Sequence, residues 1–130
     1  MNAVSAMKQY QQVSVHSSIM DASPHRLVQM LMEGALEKIA LAKGNMANNN
    51  IANKGENISK GIAIIGGLKS SLNKDVGGAL AENLSNLYDY MANRLVVANL
   101  LNDENILDEV TGLMAEIKMG WDGIPDEFNN

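Results

Sequence analysis

The residues best placed to do chemistry are the glycines of Gly61-Ile62-Ala63-Ile64-Ile65-Gly66-Gly67, spaced like the start of a phosphate-cradling loop. Such a loop surrounds phosphates with backbone N–H groups and places a lysine directly after the second glycine. Here Gly67 stands in the lysine's place, and Lys69-Ser70 arrive two residues late. The loop must also follow a strand, whereas this stretch lies inside a helical pattern, so no nucleotide site or other cofactor is expected. A carboxylate-bridged two-metal site in a helical bundle needs Glu-x-x-His pairs. No Glu has a His three residues on, and no metal site is expected. The two histidines, His16 and His25, precede or open the first long helix and read as surface residues. Ser23 has no base placed beside it by any motif, and a helix-capping role explains it. Asn57-Ile58-Ser59 and Asn83-Leu84-Ser85 match a glycosylation pattern, but no secretory signal gives it meaning. No catalytic residue emerges, and the chain reads as a binding protein and not an enzyme.

Composition narrows the binding partner. With 130 residues the chain fits one domain, large enough to fold without staples, and it contains no cysteine for thiol chemistry or a disulfide framework. Fifteen acidic against ten basic residues give a net charge of −5 with no basic run, so nucleic acid and anionic membranes would be repelled. The longest apolar stretches, such as Leu95 to Ala98, are far shorter than the ~20 residues of a membrane span. A cytoplasmic protein with no nucleic-acid partner and no membrane insertion is expected. Only 4% of residues are aromatic, while nine are methionine, so the apolar mass is aliphatic.

These residues must be positioned by helices. Pro24 and Pro125 are the only prolines, leaving about a hundred residues between them free of helix breakers. Asp21-Ala22-Ser23-Pro24 is a helix start, with Ser23 as cap and proline at the first position. Leu27, Met30, Leu31, Ala35, Ile39, Ala42 and Met46 follow at intervals of three and four, ending in the asparagine-rich stretch 45–53. A second helix is expected from Lys54 or Glu56, with Ile58, Ile62, Ile65, Leu68 and Leu72 on one face, stopping at Asn73-Lys74-Asp75 before Gly77-Gly78. A third carries Leu80, Leu84, Leu87, Tyr88, Met91, Leu95 and Ala98. Asn102 or Asp103 caps a fourth with Ile106, Val110, Leu113, Met114, Ile117 and Trp121. The fold class expected is all-α: an antiparallel up-down four-helix bundle with a short extra N-terminal helix near residues 3–12. Residues 1–22 would form an N-terminal cap segment, 23–122 the bundle and 123–130 a frayed tail.

The apolar residues exceed one stripe per helix. Val28, Met32, Leu36 and Leu41 widen the face of the first helix, and Tyr90, Val97 and Leu101 lie off the main stripe of the third. Such a surplus packs on the N-terminal helix or receives a foreign one, a use that suits adaptable methionine.

Three separated pieces then resemble one family, the flagellin-specific flagellar secretion chaperones called FliS. They are Tyr10 and Val13 ahead of Ala22-Ser23-Pro24 and Leu27-Val28-Gln29-Met30-Leu31; Gly77-Gly78 with Ala81-Glu82-Asn83-Leu84 and Leu87-Tyr88-Asp89-Tyr90-Met91; and Leu95, Ala98-Asn99, Asp103, Leu107-Asp108-Glu109-Val110 and Trp121. The chain departs from the family pattern at Met32-Glu33-Gly34, where a tyrosine and aspartate usually precede the glycine, and at Gly66-Gly67. The resemblance implies a chaperone that binds the disordered C-terminal segment of flagellin, blocks premature polymerisation and hands the client to the flagellar export gate. It implies Tyr10 and Val13 as a cap, and Leu27, Leu31, Met32, Tyr90, Val97 and Leu101 as groove residues. A weak homodimer stays open, as does a regulator that binds some other amphipathic helix.

Overall fold

A computed structural model describes residues 21–125. They form four helices and, among the described residues, no strand: α1 (Pro24–Ala47), α2 (Ile51–Ser70), α3 (Lys74–Leu101) and α4 (Glu104–Asp122). The expected short N-terminal helix, Tyr10 and Val13, and the tail beyond Pro125 lie outside the described residues.

Each helix begins at a side chain that satisfies a free backbone N–H. Ser23 Oγ accepts from the Arg26 N–H at 3.1 Å, Asn50 Oδ1 from Asn53 at 3.3 Å, Asn73 Oδ1 from Val76 at 3.2 Å, and Asp103 Oδ1 from Asn105 at 2.9 Å. The asparagine-rich segment is a tight turn of three residues, with Asn49 in the left-handed region at φ 56°. Because Asn50 takes the cap, α2 starts at Ile51, ahead of the expected Lys54. Likewise Asn73 caps a helix where a stop was expected: one turn forms before Gly78, whose φ of 55° and ψ of −129° break the helical path. Asn102 ends α3 at φ 55°, a conformation asparagine tolerates.

Apolar stripes bring the helices together. Leu31, Ala35, Ile39 and Ala42 of α1 meet Ile58, Ile65 and Leu68 of α2, Met91, Leu95 and Ala98 of α3, and Leu107, Val110 and Met114 of α4 in one core. Burying each larger side chain contributes about 1.5–3 kcal/mol. Helices adjacent in sequence pack on each other, and α4 also packs on α1. Polar contacts fix which ends meet. Gln29 near the start of α1 donates to Asp122 at the end of α4 at 2.8 Å, while Lys43 near the end of α1 pairs with Asp108 near the start of α4 at 2.8 Å. The Asn45 and Asn57 amides join at 2.8 Å across the α1–α2 turn.

Two expectations need correction. Leu80, assigned to the core stripe, is 68% exposed, because the buried face of α3 runs through Ala81, Ser85 and Tyr88, to one side of it. His25, read as a surface histidine, is buried: its ring lies 4.9 Å from that of Trp121, whose Nε1 donates to the His25 carbonyl oxygen at 3.0 Å. This contact joins the start of α1 to the end of α4.

Candidate functional site

Spacings of seven and four residues put Tyr90, Val97 and Leu101 on one face of α3. Tyr90 is 44% exposed and Leu101 63%, while Val97 is half-buried against the core. Beside them the Tyr90 hydroxyl donates to Glu109 Oε2 of α4 at 2.6 Å, and Arg94 Nε donates to Glu109 Oε1 at 2.9 Å. The two bonds, from Tyr90 first and Arg94 next, hold the Glu109 carboxyl below the ordinary glutamate range. The same contact raises the Tyr90 phenol, so its hydroxyl stays a donor at neutral pH. The arrangement is an apolar strip flanked by a polar clasp between α3 and α4, suited to binding and not to proton transfer. Tyr88, two residues from Tyr90, points into the core, where burial pushes its phenol up to about 12.

The other expected groove residues separate from this strip. Leu31 and Met32 are fully buried among core side chains, unlike Tyr90 and Leu101. The surplus apolar face of α1 arises because α1 packs on both α2 and α4, so a wide arc of its circumference is covered. Leu27 is half-buried in the first turn of α1, at the end of the bundle opposite Leu101. Tyr10 and Val13 lie outside the described residues.

Sequence reasoning passed over other exposed apolar side chains. Ile51, Val76, Val96, Leu100 and Met119 are each more than half exposed. Their one signal is that they fall off the buried period of their helices. A broader cleft of about 590 Å³, walled by Asp21, Ser23, Arg26, Gln29 and Asp122, is largely polar and poorly matched to an apolar helix. Among the described residues no group of three or more His, Cys, Asp or Glu is arranged to hold a metal, and no helix is long and apolar enough to cross a membrane.

Comparison with known proteins extends these observations along the whole chain. Residues 6–127 match the family model described as flagellar protein FliS. The flagellar secretion chaperone FliSB of Pseudomonas aeruginosa is 55% identical over 124 residues, covering 95% of this chain and 98% of the relative. The flagellar secretion chaperone FliS of Salmonella typhimurium is 46% identical over 122 residues, covering 93% and 90%, and that of Bacillus subtilis is 38% identical over 112 residues, covering 86% and 80%. With the match running through all four helices and the turns between them, the chain belongs to the FliS family of flagellar proteins.

Proposed function

We propose that this chain is a cytoplasmic flagellar export chaperone. It holds the disordered C-terminal segment of flagellin, prevents its premature polymerisation and delivers it to the type III export gate. The observation that carries the reading is the near end-to-end likeness to proteins named flagellar secretion chaperones. In this reading the helices form an antiparallel up-down bundle, supported by the contacts that join the start of α1 to the end of α4 and the end of α1 to the start of α4.

The physical logic is one of exchange. A disordered client loses several kcal/mol of ordering free energy on binding and must regain it over a broad apolar surface. Tyr90, Val97 and Leu101 supply one strip of that surface on α3, and Leu27 contributes at the opposite end. Tyr10 and Val13 act as a cap that the client displaces. Flagellin bound in this way has its assembly segment masked. No catalytic group is required, since holding and release are both binding equilibria.

Calorimetric titration with a flagellin C-terminal peptide from the same organism tests the proposal. Near-stoichiometric binding with a large negative heat-capacity change is the expected result. No binding at tens of micromolar, with titrations at two temperatures, would refute it and favour a regulator that binds another amphipathic helix.

A further inference from the structure

The α1–α2 turn and the end of α3 meet around Lys54, which is only 7% exposed. Its ammonium donates to the Asn99 carbonyl oxygen and to Asn102 Oδ1, each at 3.1 Å. Both acceptors are neutral. Lys43, Lys69 and Lys118 each reach a carboxylate at 2.7–2.8 Å, whereas Lys54 has no carboxylate partner among the described residues. The negative end of the α3 dipole faces the ammonium and supplies only a partial compensating charge. Of its three N–H donors, two are used.

Lys54 lines a cavity of about 170 Å³ whose other walls are Asn45, Met46, Asn49, Asn50, Ile51 and Asn102. Among the described residues no acidic side chain lines it, in a protein of net charge −5. At about 30 Å³ per water, the space equals roughly five or six waters, enough for the end of one acidic residue and too small for a nucleotide. We infer that this cavity is a carboxylate site, with Lys54 as the counter-charge, and that its ligand is an acidic side chain or the chain end of a bound polypeptide. The inference stands apart from the identity of the client, since a single carboxylate suffices to test it.

The test is an NMR titration of the full chain with sodium acetate and with N-acetyl-aspartate methylamide, against sodium chloride at equal ionic strength. Saturable shifts at the amides of Asn49, Ile51 and Asn102, with half-saturation in the range of roughly 1 to 20 mM for so small a ligand, are expected with both probes. Lys54→Met should abolish the response. Asn50→Asp, which keeps a helix cap while placing a carboxylate at the cavity rim, should abolish it too and provides the answer if Lys54→Met does not fold. Shifts with acetate alone would uphold the site and assign it to a free small carboxylate. Shifts no larger than with chloride, or a response that survives in both variants, would overturn the proposal.

Discussion

Leu31 and Leu101 have the same side chain, and the sequence placed both in one groove, yet replacing each with alanine should give opposite results. Leu31 is 0% exposed and packs in the centre of the core, so Leu31→Ala removes buried methyl groups and leaves a cavity, a change that destabilises by about 2–5 kcal/mol. Leu101 is 63% exposed, so only about a third of the ~1.5–3 kcal/mol of full leucine burial is at stake, or roughly 0.5–1 kcal/mol. Alanine's better helix propensity returns part of that. For a domain of this size the difference corresponds to melting points about 10–15 °C apart at the middle of the range. Urea unfolding of the two variants in parallel provides the free energies directly, with m-values checking that the unfolded states are comparable. Affinity for a flagellin C-terminal peptide should rank them the other way, with Leu101→Ala weakening binding and Leu31→Ala, where still folded, affecting it little. Stabilities within about 1 kcal/mol of each other would refute the division into core and strip.

Two further outcomes follow from local geometry. Glu109 is held below the ordinary glutamate value of 4.5 by Tyr90 and then Arg94, so its contribution is complete above the unfolded value and is lost as pH falls through the lower folded one. The Glu109 carboxyl midpoint read by NMR should therefore rise toward 4.5 in Tyr90→Phe, and an unchanged midpoint would show that the clasp is not formed in solution. Gly78 occupies φ 55° and ψ −129°, a region restricted to glycine, so Gly78→Ala should destabilise by about 1–3 kcal/mol in urea unfolding. A neutral result would mean that the kink straightens at no penalty.

Helix identity was legible because caps and stripes agreed. Ser23 acts as the cap its sequence context suggests, Asp103 and not Asn102 caps α4, and the stripes of α1, α2 and α4 supply most of the core. Less legible were features that depend on neighbours. Asn50 and Asn73 looked like turn residues, and only the hydrogen bonds they make turn them into helix starts. Surplus apolar residues on α1 and α3 looked alike in sequence. Their fates differ: Met32 of α1 is enclosed by the flanking helices while Leu41 stays half-exposed, and Tyr90 and Leu101 of α3 lie toward solvent. Periodicity reports how much of a helix is apolar, and the neighbours decide which part is covered.

The contact between Trp121 and His25 gives the molecule its own optical probe. Trp121 is the only tryptophan in the chain, so indole emission comes from one place: the junction where the segment before α1 enters and the tail after α4 leaves. Its wavelength and quenching report whether that junction is closed. Opening of that junction can therefore be followed in unlabelled wild-type protein.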